Sequence, residues 1–168
     1  NYICVGWDNV GDLREFESKE AFEVKFQELY SAEYNGNAST ITKKIKEVWM
    51  LNELESGDIV IANDGISRIL AIGEVLDPGY SWNEERQEYK HTVAVKWDTA
   101  YEQSIPPQKK WAFATVDSVS TFLYQQIISL KKPKPGTGVV PVDKQFAQLE
   151  HSLQRKGQVI LYGPPGTG

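Results

Sequence analysis

The residues with the plainest chemical meaning stand at the end of the chain. Val159-Ile160-Leu161-Tyr162 runs into Gly163-Pro164-Pro165-Gly166-Thr167-Gly168, the opening of the phosphate-binding pattern G-x-x-x-x-G-K-[ST]. In that pattern backbone N–H groups after a strand converge on an anion, the following helix adds its positive end, and a lysine neutralises the outer phosphates. Gly163, Gly166, Thr167 and Gly168 supply the glycine half without the lysine, so these residues alone hydrolyse nothing. A Pro/Gly-rich tail could carry the same letters, but the apolar run directly before it favours a phosphate loop. Lys followed by Ser or Thr is expected after Gly168, and the function of these 168 residues is expected upstream of the loop.

Other catalytic chemistry has little material. His91 and His151 lie far apart, without cysteines or a spaced carboxylate set, which argues against zinc hydrolysis and against a nucleophile–histidine pair. Glu84, Glu85 and Glu88 share one polar stretch and read as solvated, and the one cysteine, Cys4, can form neither an internal disulfide nor a cysteine cluster. Stacking chemistry is better supplied, by five tryptophans and eight tyrosines. Trp49 sits on an apolar helical face and Trp97 shares a strand face with Val93 and Val95, so both read as core. Trp82 stands instead among Asn83, Glu84, Glu85 and Arg86, where burial has little support.

A formal charge of −5 argues against a surface that grips nucleic acid everywhere. Local basic patches remain at Lys43, Lys44 and Lys46, at Lys109 and Lys110, and at Lys131, Lys132 and Lys134. No run approaches the roughly 18 apolar residues of a membrane span, and Asn1 in place of Met reads as a trimmed start. A reducing, cytoplasmic setting is expected, with no membrane partner.

The elements that would hold these groups read as follows. Tyr2 to Trp7 predicts a strand closed by Asp8-Asn9, and Ser18 to Tyr30 a helix with Ala21, Phe22, Phe26 and Leu29 recurring at three- and four-residue steps as its inward side. A loop around Gly36 precedes a second helix capped by Ser39 or Thr40, with Ile41, Ile45, Val48 and Trp49 inward and Lys43, Lys44 and Lys46 outward. "GDIVIANDG" and "RILAIGEVLD" predict a hairpin turning at Asn63-Asp64-Gly65. A polar loop with Tyr80, Trp82 and Tyr89 leads to the alternating strand "HTVAVKWD". "WAFATV" reads as a short strand, and Asp117-Ser118 as the cap of a helix with Val119, Phe122, Leu123, Ile127 and Leu130 on its inward side. The Pro/Gly-rich stretch 131–142 predicts a linker, Asp143 caps a last helix burying Phe146, Leu149 and Leu153, and Gly157 stops it before the terminal strand.

This order, with "SGDIVIANDGISRILAIGEVLD" and "YKHTVAVKWD" as its central strands, resembles the EVE and YTH-like domains of the PUA superfamily over residues 1–130. The resemblance implies an α+β fold, a mixed β-barrel with helices packed outside. Residues 143–168 resemble the first helix and strand, with an incomplete Walker A loop, of an AAA+ ATPase or GTPase domain. Together they resemble the McrB-like modification-dependent restriction proteins. That family implies a motor using GTP and magnesium, a homo-oligomeric ring, an McrC-like nuclease subunit and, in the N-terminal module, binding of double-stranded DNA carrying a modified base.

By position along the family pattern, base recognition falls to Trp7, Asp8, Asn9, Ser39, Thr40, Tyr80 and Trp82; the local basic patches offer DNA-backbone contact at Lys43, Lys44, Lys109 and Lys110. The mechanism so implied is base flipping into an aromatic pocket, in which Trp7, Tyr80 and Trp82 stack and Asp8, Asn9 and Ser39 read polar edges. Ala38 stands where the YTH pattern has an aromatic residue, and Tyr34 or Tyr80 is the candidate replacement for that wall. The competing expectation, favoured by the acidic charge, is a protein-interaction or regulatory domain of an AAA+ machine without nucleic-acid binding. Which modified base is preferred, among N6-methyladenine, 5-methylcytosine and 5-hydroxymethylcytosine, is not legible.

Overall fold

In a computed structural model of the chain, residues 1–130 are described in full and Ile160–Tyr162 as backbone. The expected linker, the helix after Asp143 with His151, and the loop Gly163 to Gly168 lie outside the described residues, as do Lys131, Lys132 and Lys134. The chain is α+β and divides into two compact units: Asn1–Ser56 with Leu76–Val95, and Gly57–Val75 with Lys96–Gly168.

The first unit contains strand β1, Tyr2–Val5, and helices α1, Lys19–Tyr30, and α2, Ala38–Asn52. Ser18 caps α1, its side chain accepting the Ala21 N–H, and the helix buries Phe22, Phe26 and Tyr30. Leu29, expected inside, is exposed, because Tyr30 takes the inward place one residue on. The cap of α2 is Asn37 rather than Ser39 or Thr40: its Oδ1 accepts the Thr40 N–H at 3.0 Å, so the helix begins before both. Ile41, Ile45 and Val48 are buried as the spacing predicts, and Trp49 packs on Phe22 with ring centroids 5.2 Å apart.

Strand β4, His91–Asp98, pairs antiparallel with β1, in the register Ile3 to Val93 and Val5 to His91. Strand β3, Arg68–Trp82, is far longer than its apolar run suggests, continuing through Pro78, Gly79 and Tyr80, which had read as loop. Gly79 makes this possible. Its φ is +81°, and a Cβ there would run into the Leu54 carbonyl. Within this unit Ser81 of β3 reaches Thr92 of β4 at 3.0 Å between hydroxyls.

The second unit is built on the hairpin of β2, Ile59–Asp64, with the first half of β3, the turn lying just beyond Asp64. Asn63 Nδ2 closes it by donating to Gly65 O at 2.7 Å. The register shifts at Ala62–Asn63, which lets the pair bend. Strand β5, Gln103–Ser104, pairs with β3 at Arg68 and Ile69, where Arg68 also pairs with Glu102. In the expected strand "WAFATV", Trp111 and Ala112 close a 3-10 turn, Lys109–Ala112, and only Val116 is extended, where it opens β6, Val116–Ser118.

Helix α3, Thr121–Ser129, is capped by Ser120 and not by Asp117-Ser118. It inserts Tyr124 and Ile127 among Ile61, Ile69, Ile72, Ile105 and Val119, leaving Phe122 and Leu130, expected inside, exposed. Strand β7, Ile160–Tyr162, pairs parallel with β2 and antiparallel with β6.

Candidate functional site

The candidate site lies in the first unit, where β1 ends and β4 begins. A buried chain of hydrogen bonds underlies it. Tyr80, 1% exposed, accepts the Leu13 N–H at 3.2 Å and lies 3.0 Å from His91 Nδ1. His91, wholly buried, reaches the Trp7 carbonyl with Nε2 at 3.3 Å. One arrangement satisfies every member: the Tyr80 hydroxyl donates to Nδ1, and the Nε2–H of a neutral imidazole donates to Trp7 O. Burial holds His91 below its ordinary pKa and pushes the Tyr80 hydroxyl up, both favouring these uncharged forms.

Trp7 is therefore gripped through its backbone, and it needs to be. Its φ of 67° is left-handed, a conformation costing a bulky residue on the order of 1–3 kcal/mol unless its surroundings enforce it. The indole N–H donates to Tyr34 Oη at 2.8 Å, and the ring rests against Phe26 at 6.5 Å between centroids. Burial raises the Tyr34 hydroxyl pKa, keeping it a neutral acceptor. The indole is half-buried, with the Lys44 ammonium 5.8 Å from its centroid.

Lys44 does not point away from its helix, as the spacing predicted. It is drawn to the buried Glu47 at 3.0 Å, its side chain 17% exposed, so much of its charge is already matched.

Trp82 also stands half-buried, at the end of β3 and not in a loop. The His91 ring meets it edge-on at 5.0 Å, and the Lys90 ammonium lies 5.5 Å from its centroid. The same histidine thus touches both indole-bearing segments, at the Trp7 carbonyl and at the Trp82 ring. Each indole keeps an accessible portion and has one lysine beside it.

The segment from Asn83 to Lys90 forms an arm closed at its base by Asn83 N–H donating to Lys90 O at 2.9 Å. Arg86 braces it internally by donating to the carbonyls of Glu88 and Tyr89, and Arg86, Gln87, Glu88 and Tyr89 line a shallow depression on it. Asp8 ties the arm down: its carboxylate accepts the Tyr89 N–H at 2.9 Å and the Lys90 N–H at 2.8 Å.

The expected site residues therefore part company. Trp7, Asp8 and Trp82 are brought together. Tyr80 lies beneath them as core, its ring unavailable for stacking while it is packed there. Asn9 is exposed in the turn after Trp7, and Ser39 and Thr40 occupy the first turn of α2. Lys43 is exposed on α2, while Lys109 and Lys110 are exposed on a turn of the second unit.

His91, Tyr89 and Lys90 were not foreseen. A signal for His91 existed, since it shares strand parity with Val93 and Val95 and so belongs to the core face. Tyr89 and Lys90 carry no periodic signal, because their N–H groups are held by the distant Asp8.

Among the described residues no group of three histidine, cysteine or carboxylate side chains could hold a metal ion, and no helix is long and apolar enough to cross a membrane. Residues 1–119 match a family described as a domain of unknown function (DUF8426). No curated protein and no solved structure matches the chain.

Proposed function

The chain belongs to the DUF8426 family, whose description assigns no activity, and from the geometry of its first unit we propose that it reads modified bases in double-stranded DNA by stacking an extruded base on Trp7 or Trp82. The observation that carries this reading is a left-handed Trp7 and a half-exposed Trp82 held through one buried histidine, each beside a lysine. Backbone strain at a half-buried aromatic ring costs stability and points to use.

The magnitudes favour exchange at the ring face. A lysine over an exposed indole contributes about 0.5–1 kcal/mol, whereas a stacked base contributes about 1–3 kcal/mol. An incoming base can thus displace the Lys90 ammonium from Trp82 and leave it to meet a phosphate. Discrimination for a methyl group would come from the rings, which exclude water around it, and from exposed polar groups such as Asn9 and Ser39 at the base edge.

In the wider reading this unit belongs to the EVE/YTH-like group and directs an McrB-like GTPase with its nuclease subunit. The strand order and the Gly163 to Gly168 loop support that extension.

The test is a titration of the chain with duplexes that differ by a single methyl group on one base. The modified duplex should bind more tightly, and Trp82→Ala should remove the difference. Equal affinity for modified and plain duplexes would refute the reading. A protein-interaction role is favoured by the net charge of −5 and by the acidic arm residues Glu84, Glu85 and Glu88. Salt separates the two, because affinity resting on phosphate contacts falls steeply between 50 and 200 mM salt.

A further inference from the structure

Asp8 had been expected to read the edge of a base, yet both of its carboxylate oxygens are engaged by backbone N–H groups of the arm. Oδ2 accepts from Tyr89 N and Oδ1 from Lys90 N, across 81 and 82 residues of chain. Two successive N–H groups converge on one anion only if the backbone turns between them, and Tyr89 provides that turn with a φ of 57°. The Tyr89 ring meanwhile lies alongside Gly6 at the end of β1. Lys90 is the residue whose ammonium lies over Trp82, and its carbonyl closes the base of the arm at Asn83.

We infer that Asp8 is a positioning residue, a clasp that fastens the Asn83–Lys90 arm to the end of β1 and so sets Lys90 over Trp82. The inference rests on the base-reading proposal for its consequence but not for its geometry. Asp8 acts through two amides and touches no ligand. The convergent N–H pair satisfies both carboxylate oxygens, while the negative charge itself stays beside the site.

Amide hydrogen exchange on the 168-residue chain without DNA tests the clasp directly. In Asp8→Ala, exchange at Tyr89 and Lys90 should rise about tenfold or more, the loss of a hydrogen bond to a charged acceptor, while Val93 and Val95 stay protected. Asp8→Asn keeps the volume and one acceptor oxygen, and should release one of the two amides. Unchanged exchange at both residues in both variants would overturn the clasp, whatever the chain binds.

A second measurement reads its consequence. Removing a negative charge beside DNA tightens binding by electrostatics alone, whereas the clasp requires Asp8→Asn to weaken modified and unmodified duplexes by the same factor. Tighter binding or a loss confined to one base would each overturn it. If the unaltered chain does not distinguish modified DNA, the base-reading proposal falls and the exchange result alone decides the clasp.

Discussion

Replacing Tyr80 with Phe separates a ring that stacks on a base from one that holds the site from below. The substitution keeps the aromatic volume and removes one oxygen, which accepts the Leu13 N–H at 3.2 Å and lies 3.0 Å from His91 Nδ1. Leu13 and His91 are both wholly buried, so neither group can turn to water once the oxygen is gone. Two buried hydrogen bonds contribute about 0.5–1.5 kcal/mol each, and stranding their partners raises the loss towards the desolvation cost of those groups. The expected total is about 2–4 kcal/mol. With a urea slope of about 2 kcal/mol per molar, the unfolding midpoint should fall by about 1–2 M, without a change in slope. Urea titration followed by tryptophan fluorescence measures this. A stacking role would instead leave stability within about 0.5 kcal/mol of the unaltered chain, as exposed hydroxyls do, and that outcome would refute the buried-chain account.

Asn37→Ala should cost about 1 kcal/mol of stability, because Asn37 and not Ser39 satisfies the first turn of α2; Ser39→Ala should be nearly neutral in the same thermal melt. Gly79→Ala should destabilise by at least about 2 kcal/mol in urea titration, since the position combines a φ of +81° with a backbone carbonyl where the Cβ would go. His91 has a folded pKa below the unfolded value of 6.5, so the unfolded chain binds the proton first as the medium acidifies. Its contribution is intact above pH 6.5 and is lost as the pH falls below it, at up to about 1.4 kcal/mol per pH unit. His91→Gln should remove this part of the slope in denaturation curves taken from pH 7 down to pH 5.

Periodicity determined much of the framework because it reports burial. The three-and-four spacing of Phe22, Phe26, Ile41, Ile45 and Val48 fixed two helices and their inward faces, and alternation from His91 to Asp98 fixed β4. Local chemistry was read less reliably. Several residues within a few positions can cap one helix, and only the backbone decides that Asn37 and Ser120 do so. The polar run after Asp77 looked like a loop, although Gly79, with its left-handed φ, lets the strand pass Leu54 and carry Trp82 to its end.

Composition supplied the tryptophans, and the family pattern nominated Trp7, Asp8 and Trp82. What no single chain segment contains is the pairing of Asp8 with Tyr89 and Lys90, or the reach of His91 to both indole-bearing segments. Those contacts join residues more than 80 positions apart for Asp8 and for the Trp7 carbonyl. Hydrophobic spacing records which side of an element is buried, and carries no record of which distant polar group it will meet there. The aromatic material and its scaffold were therefore set by the sequence, and which rings are half-exposed, which are buried support and which carboxylate ties down the arm was decided by tertiary structure.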